Sequence, residues 1–406
     1  MHNLPLPPSD AIAHSQQLIN KILLAMNGEA IPFVKFMEQA LYAPGLGYYS
    51  AGIHKLGEKG DFITAPEISP LFSHCVAKQC QQILASFESG VILEFGAGSG
   101  KMAAEILKEL ERLDCLPTEY FILEVSADLQ KYQQETLQAQ VPHLFNRIQW
   151  LERLPSQPIS GVILANEVLD AMPVRRFRLD DNEISEFFVG SEDSKINFGL
   201  QEELSKDSKI NFGLQSPFSW QILPSRDESL RMLVEKLRPT LPIGYVSEIN
   251  LALPAWIQSV SDILAAGMVL LIDYGFPRRE YYHPQRTQGT LMCHYRHHAH
   301  DDPLILVGLQ DITAHVDFTA VAEAAVAADL EVAGYTTQAN FLLASGLPEF
   351  FSTLDPDDTK TYLQYTQQVK KLTLPSEMGE LFKVMALTRD YEKPLLGFIQ
   401  DNRVKL

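Results

Sequence analysis

The stretch Val91-Ile92-Leu93-Glu94-Phe95-Gly96-Ala97-Gly98-Ser99-Gly100-Lys101 decides the fold of this chain. Its first five residues form a short, mainly apolar run of the kind that a buried strand has. Three alternating glycines follow, and residues 102–113 have the pattern of an amphipathic helix. A strand that passes through a glycine-rich turn into a helix is typical of nucleotide-type sites in α/β proteins. We therefore expect the ligand site at this turn.

Other apolar runs of strand length alternate with helical patterns along the rest of the chain. This alternation predicts an α/β, doubly wound fold whose sheet is mostly parallel. Residues 1–90 are instead helical and turn-rich in pattern, and we expect them to form an N-terminal extension. The strands expected after the glycine turn are 120–124, 147–150, 161–165, 244–249, 268–273 and 382–387, with a further helix at 128–140.

Composition disfavours several classes of protein. The 406 residues include 33 basic and 51 acidic side chains, a net charge of −18, which disfavours binding to the phosphate backbone of nucleic acids. No apolar run reaches the length of a membrane span. The first residues lack the features of a secretory signal, and the first arginine is Arg112, so we expect a cytoplasmic protein.

The cysteines and histidines predict no metal site. The four cysteines form no Cys-x-x-Cys pair, and the histidine-rich stretch 293–300 matches no zinc spacing. A nine-residue segment, 193–201, recurs identically at 207–215. Two copies are too few for a solenoid, so we interpret 193–215 as a duplicated surface loop.

Three kinds of ligand compete for the glycine turn. A P-loop fails because Phe95 stands where its first glycine belongs and Met102 where its hydroxyl residue belongs. A dinucleotide fingerprint needs a glycine where Lys101 stands, which weakens a dehydrogenase interpretation without excluding it. The third interpretation is E-x-G-x-G-x-G, in which an acid, Glu94, closes the strand before the glycines.

Glu94 favours S-adenosylmethionine (SAM) as the ligand, because SAM carries a cationic sulfonium and an ammonium group that a carboxylate can attract. The glycines let the backbone approach the ligand, and the helix that begins near Lys101 presents its N-terminus to it. Glu124 ends the next expected strand, where a carboxylate can accept hydrogen bonds from both ribose hydroxyls. The alternative is a tight strand–helix turn without a ligand, and Glu124 makes that alternative the weaker one.

A second acidic motif, Asn166-Glu167-Val168-Leu169-Asp170-Ala171-Met172-Pro173, follows a clear strand at the same sheet edge. If it forms one helical turn, Glu167 and Asp170 share a face and could bind a guanidinium through charge-assisted hydrogen bonds. Acidic capping of a helix would explain them as simply. Further along, His315 and Asp317 alternate and could form a general-base pair, but no nucleophile motif accompanies them.

Together these segments resemble the MidA-type protein arginine methyltransferases, a family that includes the mitochondrial complex I assembly factor and bacterial relatives. The resemblance covers nearly the whole chain in the expected order. It rests on residues 41–49, 60–69, 92–100, 166–173, 272–275, 289–291 and 311–318.

The resemblance implies a class I SAM-dependent methyltransferase with a Rossmann-like core. The core is expected at 91–406, with an inserted segment at about 276–350, and the extension at 1–90 is expected to contribute to the active site. The residues that the resemblance and the motifs assign to SAM are Asp61, Thr64, Glu94, Gly96, Ala97, Gly98, Gly100, Glu124, Val125, Ser126, Gln149, Trp150 and Asn166, with Gln149 and Trp150 beside the adenine.

The resemblance further implies methylation of an exposed arginine in a protein, with Glu167 and Asp170 as the catalytic candidates. The family precedent for the partner is a subunit of NADH dehydrogenase, methylated during complex I assembly. Two alternatives stay open. A small-molecule acceptor predicts an enclosed apolar pocket, whereas a peptide predicts an open acidic groove. A non-catalytic assembly factor could keep the fold, although the intact glycine turn with Glu124 argues against it.

Overall fold

The computed structural model describes residues 4–51, 64–191, 216–352, 355 and 357–406. The strands in these ranges are β1 (Ile31–Pro32), β2 (Val91–Phe95), β3 (Tyr120–Leu123), β4 (Ile148–Leu151), β5 (Ile159–Asn166), β6 (Arg175–Leu179), β7 (Ile184–Ser191), β8 (Phe218–Pro224), β9 (Tyr245–Ile249), β10 (Leu264–Phe276), β11 (Met292–Tyr295), β12 (His298–His300), β13 (Asp311–Thr313), β14 (Val316–Asp317), β15 (Glu331–Thr337) and β16 (Phe382–Arg389).

The α-helices in the same ranges are α1 (Ser9–Met26), α2 (Phe33–Tyr42), α3 (Ala65–Ile68), α4 (Pro70–Leu84), α5 (Lys101–Arg112), α6 (Ala127–Gln140), α7 (Glu228–Leu237), α8 (Leu253–Ile263), α9 (Arg278–Tyr281), α10 (Phe318–Ala327), α11 (Gln338–Ala344), α12 (Leu347–Ser352), α13 (Thr359–Thr373) and α14 (Met378–Leu381). Short 3₁₀ helices lie at Phe145–Arg147, Arg238–Thr240, Leu396–Phe398 and Arg403–Lys405.

A central sheet of eight strands has the order β15-β16-β10-β5-β2-β3-β4, with β14 beside the end of β10. The five strands β10, β5, β2, β3 and β4 each run parallel to the next one in this order, and β14 is parallel to β10. Among these eight strands only β16 runs in the opposite direction, since it is antiparallel to both β10 and β15. The predicted α/β fold with a mostly parallel sheet is confirmed.

Helices cover both faces of this sheet. On one face, Phe72 of α4 and Leu107 of α5 are fully buried around Ile92. On the other face, Ile257 of α8 is fully buried with Leu93. Ile92 and Leu93 are successive residues of one strand and therefore point to opposite faces. Because α4 belongs to residues 1–90, part of the N-terminal extension is built into the core of the fold.

The register of the parallel strands brings the polar motifs to one edge. Phe95 at the end of β2 pairs with Leu123 of β3 and Ala165 of β5. Ala165 in turn pairs with Leu271 of β10. Parallel strands end at the same edge of a sheet, so the residues that follow these positions lie together, as ligand-binding residues do in open α/β sheets.

Two expectations about organisation are corrected by the structure. Residues 244–249 were expected in the main sheet, but β9 pairs antiparallel with β6 in a separate sheet, ordered β1-β7-β6-β9 with β8 beside β7. A short buried strand has the same apolar pattern in either sheet. The insertion expected at about 276–350 is shorter, because β15 (Glu331–Thr337) pairs with β16 in the central sheet. Within it, β12-β11-β13 form a small antiparallel sheet.

The separate antiparallel sheet connects the extension with the segment after β5. Ile31 of β1 pairs with Val189 of β7, and Phe33 and Phe36 of α2 are buried with Phe187. The duplicated segment 193–215 lies outside the described residues. In the described ranges, no helix combines the length and apolar character that a membrane span requires.

Candidate active site

A cavity of about 830 Å³ lies at the carboxyl edge of the central sheet. Its lining comes from the ends of β2, β3, β5 and β10, from the extension, from the small antiparallel sheet and from residues near the C-terminus. The expected site residues that line it are Thr64, Glu94, Gly96, Ala97, Gly98, Glu124, Val125, Ser126, Asn166, Glu167 and Asp170. Gly100, Gln149 and Trp150 do not line it, and Asp61 lies outside the described residues.

The glycine turn depends on backbone angles that other residues adopt only with strain. The φ angles of Gly96, Gly98 and Gly100 are 61°, 54° and 81°, in the left-handed region that favours glycine. Gly100 also packs closely against α6, since a Cβ there would lie 3.3 Å from Cα of Gln133. Gly100 therefore shapes the turn from behind, while Gly96 and Gly98 face the cavity.

Glu94 has an unsatisfied carboxylate at the cavity. The side chain is buried, and Oε2 accepts a hydrogen bond of 2.8 Å from the hydroxyl of Tyr120. Oε1 has no hydrogen-bond partner among the described residues. Burial raises the pKa of Glu94 to about 7, although the hydrogen bond from Tyr120 opposes this shift. A cationic ligand group beside Oε1 would restore the charged form, which fits a ligand with an ammonium or sulfonium group.

Glu124 is held in place by a donor just before α6 and another within it. Its Oε1 accepts from the backbone N–H of Ser126, and its Oε2 from the side-chain amide of Gln133, both at 3.0 Å. Gln133 also donates to the backbone oxygen of Gly98. A carboxylate oxygen has more than one lone pair, so Glu124 can still accept from a pair of ribose hydroxyls.

The expectation that Gln149 and Trp150 flank the adenine is corrected. Gln149 is exposed, donates to Glu119 on the surface 2.6 Å away and does not line the cavity. The indole N–H of Trp150 donates to Oε1 of Gln133 at 2.9 Å. Trp150 therefore contacts Gln133, which in turn donates to Glu124, and does not line the cavity itself.

Glu67 connects the extension to the glycine turn and was not singled out from the sequence. Its carboxylate pairs with the ammonium of Lys101 and accepts from the hydroxyl of Ser99. Glu67 lies in the short helix α3. Thr64 directly precedes this helix, and its side chain makes no capping hydrogen bond to it. Through Glu67, α3 contacts the glycine turn.

The loop after β5 carries Glu167 and Asp170 but is not the helical turn that the sequence suggested. Glu167 has a φ of 53°, which is uncommon for a residue other than glycine and is often found at functional sites. Its N–H donates to the carbonyl of Ile272 at 2.9 Å. Both acids nevertheless line the cavity, because this loop crosses the sheet edge beside the glycine turn.

The ionisation of these two acids is shifted by their surroundings. Burial raises the pKa of Glu167 to about 8, and the charge of Asp170 adds to the shift, while hydrogen bonds from Asn166 and the N–H of Ala65 oppose it. Burial also raises the pKa of Asp170 to about 6, against a hydrogen bond from Tyr274. Among the described residues, no lysine or arginine forms an ion pair with either acid. The site can therefore accept a cation.

Several further cavity residues were missed as site residues in the sequence. They come from the motifs at 41–49, 272–275 and 311–318: Tyr42, Tyr49, Tyr274 and Asp311. His315, which was expected as half of a general-base pair, also lines the cavity. The proposed pair of His315 and Asp317 does not form. Asp317 caps α10 and pairs with Arg278, whereas the ring of His315 packs against Tyr274 and Phe276.

Comparison with known proteins identifies this arrangement. The family model described as "Putative S-adenosyl-L-methionine-dependent methyltransferase" matches residues 75–336, more than half of the chain. The chain belongs to this methyltransferase family. The resemblance to the MidA-type enzymes is thereby confirmed, and this methyltransferase uses SAM as its cofactor. The residues present fit that cofactor, since the cavity is lined by the glycine turn, by the carboxylate of Glu124 and by Glu94, whose Oε1 has no partner among the described residues.

Solved structures and curated proteins that resemble this chain support the same family. A crystal structure from Burkholderia thailandensis, bound to S-adenosyl-homocysteine, is 41% identical, with a TM-score of 0.90 and 100% of both chains covered. A native structure from the same organism is 40% identical, with a TM-score of 0.87. "Protein arginine methyltransferase NDUFAF7 homolog, mitochondrial" from Drosophila melanogaster is 27% identical over 92% of this chain and 84% of its own. The Danio rerio protein of the corresponding name is 27% identical over 88% and 83%.

Proposed function

We propose that this methyltransferase modifies a guanidino nitrogen of an arginine in a protein. The observation that carries the proposal is the position of Glu167 and Asp170, whose carboxylates line the cavity beside the glycine turn without a cationic partner among the described residues. A guanidinium is planar, permanently charged and able to donate to two carboxylates at once. The names of the curated relatives support the same acceptor.

For the cofactor, we propose that the glycine turn and Glu124 hold the nucleoside and that Glu94 faces the cationic end. Bound SAM supplies a methyl group on a sulfonium, and the C–S bond breaks as the N–C bond forms. Thr64, Val125, Ser126 and Asn166 line the same space. The protein's main contribution is alignment of the reactants and exclusion of water.

For the acceptor, Glu167 and Asp170 hold the guanidinium so that one nitrogen faces the methyl group. That nitrogen loses one proton when it gains the methyl carbon, and the methylated product keeps its single positive charge. Of the two carboxylates, the one with the higher pKa is the stronger base once it is ionised, and a guanidinium bound beside it favours that ionised form. We therefore assign the proton to Glu167, whose pKa is about 8.

The partner is proposed from the family resemblance. We propose that the acceptor arginine belongs to a respiratory-complex subunit that is methylated during assembly of complex I, and that the reaction takes place in the cytoplasm. The curated relatives are named mitochondrial, so fractionation of cells that express the tagged protein is the direct test of location.

The test of the proposed function is transfer of label from methyl-labelled SAM to a lysate of the protein's own source. We expect labelled protein with the wild type and at least ~10-fold less with Glu167→Gln. Calorimetry should give the same SAM affinity for both proteins, since Glu167 acts on the acceptor. Label that appears in the small-molecule fraction instead of in protein would contradict the proposal and support a small-molecule methyltransferase.

A further inference from the structure

Two tyrosines of the N-terminal extension face the acceptor end of the cavity. The rings of Tyr42 and Tyr49 are stacked, with centroids 5.5 Å apart and an interplanar angle of 26°. Both line the cavity. They come from the Pro/Gly-containing segment 41–49, in which Tyr42 ends α2 and Tyr49 follows a turn. This geometry places two aromatic surfaces next to the acidic loop after β5.

The hydroxyl groups of both tyrosines are used within the protein. Tyr42 donates to the backbone oxygen of Ala171 at 2.9 Å, in the acidic loop. Tyr49 donates to Oδ1 of Asp311 at 2.8 Å, at the start of β13. Burial raises the pKa of both tyrosines, and the charge of Asp311 raises them further. The two tyrosines are therefore neutral, and their stacked rings are part of the wall of the cavity.

A carboxylate oxygen at this end of the cavity lacks a partner. Oδ1 of Asp170 is buried and has no hydrogen bond among the described residues, and Asp170 is only 4% exposed. The charges of Asp170 and Asp311 both act on Tyr42 and on Tyr49. The stacked rings therefore lie within the field of two carboxylates from different elements, which is the surrounding that a flat cation needs.

We propose that Tyr42, Tyr49 and Asp311 form an arginine-selective wall, which favours a guanidinium over an ammonium acceptor. A guanidinium stacks on an aromatic face while its N–H groups donate to carboxylates in the plane, whereas a lysine ammonium is a compact, strongly hydrated charge that gains less from such a wall. The inference rests on the proposed function. It adds that the extension and the small antiparallel sheet, beyond the acidic loop, determine which cation is accepted.

The test measures binding of two probes to the full-length enzyme saturated with S-adenosyl-homocysteine. The probes are N-acetyl-arginine N-methylamide and N-acetyl-lysine N-methylamide, titrated by NMR so that weak affinities are measured. We expect the wild type to bind the arginine probe at least ~10-fold more tightly than the lysine probe. Asp311→Asn and Tyr49→Leu should reduce this ratio to less than ~3. Tyr49→Phe keeps the ring, loses only the hydrogen bond to Asp311, and should fall between.

The controls separate selectivity from folding. Affinity for S-adenosyl-homocysteine, measured by calorimetry, should change less than ~2-fold in all three variants, because none of them alters the glycine turn. The matched control is Asp262→Asn, an exposed acid on α8 that accepts a hydrogen bond from Gln258 of the same helix, and it should keep the wild-type ratio. If Asp311→Asn does not fold, Tyr49→Phe still removes the hydrogen bond between Tyr49 and Asp311, because it deletes only the hydroxyl oxygen.

Each outcome has a defined meaning. The proposed arginine-selective wall is contradicted if the wild type binds neither probe, or if it binds the lysine probe as tightly as the arginine probe. An unchanged ratio in both Asp311→Asn and Tyr49→Leu overturns it as well. If either of these results is obtained and methylarginine is still formed in the lysate, the proposed wall is contradicted and the proposed function is kept. An absence of methylarginine in the lysate defeats the proposed function, whatever the probes show.

Discussion

The carboxylate of Asp273 accepts a hydrogen bond from the backbone N–H of Asp170, with an N–O distance of 3.2 Å. The same oxygen accepts from the N–H of Leu169 at 2.9 Å, and the other oxygen from the N–H of Tyr274 at 2.9 Å. Asp273 is buried and does not line the cavity. It therefore fixes the loop that presents Asp170 without contacting a ligand itself.

We predict that Asp273→Asn lowers kcat by ~10- to 100-fold, because an amide nitrogen cannot accept and one of the three N–H groups loses its partner. SAM affinity should stay within ~3-fold of the wild type, since the glycine turn is not touched. Steady-state kinetics and calorimetry measure the two effects. The control is Asp262→Asn on the exposed face of α8, which should leave both unchanged. A kcat within ~2-fold of wild type would show that the loop does not depend on Asp273.

The second prediction concerns pH. Burial raises the pKa of Glu167 to about 8, so the carboxyl is protonated and cannot bind a guanidinium over much of the range below pH 8. The value of kcat/KM for the protein acceptor should therefore fall by ~10-fold per pH unit below about 8 and level off above it. A pH profile from 6 to 9.5 measures this. Glu167→Gln should be slow and lack this limb, and an identical limb in the variant would assign the ionisation to another group.

The third prediction concerns the contact between Glu67 and Lys101. Glu67→Gln removes the ion pair but can keep the hydrogen bond from Ser99. Lys101 is 43% exposed, so the loss should be modest, a ~3- to 10-fold weaker SAM affinity by calorimetry. Glu235→Gln, which breaks a surface ion pair between α7 and Arg238 of the 3₁₀ helix that follows it, is the control. Equal SAM affinities in all three proteins would mean that the extension does not support the turn.

The fourth prediction concerns Trp150, whose indole N–H donates to Gln133. Trp150→Phe removes the indole donor and leaves Oε1 of Gln133 without that partner. Loss of one such hydrogen bond should weaken SAM binding by ~3- to 10-fold with kcat nearly unchanged. Trp220→Phe, in the antiparallel sheet, should bind SAM like the wild type. A Trp150→Phe protein that loses binding entirely would instead place the indole in contact with the adenine.

The parts that could be predicted from sequence are those with local physical signals. The run Val91–Phe95 and the glycines after it are readable because a buried strand is apolar and a left-handed turn needs glycine. Glu94 and Glu124 followed from their position at strand ends. The outcome was different for Tyr245–Ile249, which has the same pattern as a core strand but pairs with β6. Strand pairing is a long-range property, so the local pattern could not assign its sheet.

Long-range contacts also explain the site residues that sequence did not identify. Glu67 and Lys101 are 34 residues apart, and Tyr49 and Asp311 are 262 apart. Neither pair has a spacing that signals contact. Trp150 was assigned to the adenine, but it lies within β4, and position in a strand alone does not say whether a side chain faces the ligand or supports a neighbour that does.

The most direct test of the central claim is the chemical identity of the methylated residue. Protein labelled in the lysate by the wild type and methyl-labelled SAM is hydrolysed in acid, and the amino acids are separated and identified by mass spectrometry. Label in N-methylated arginine, absent when Gly98→Val blocks the turn, is the predicted result. Label in methyl-lysine, in another amino acid or only outside the protein would contradict the assignment of a guanidino acceptor to this cavity.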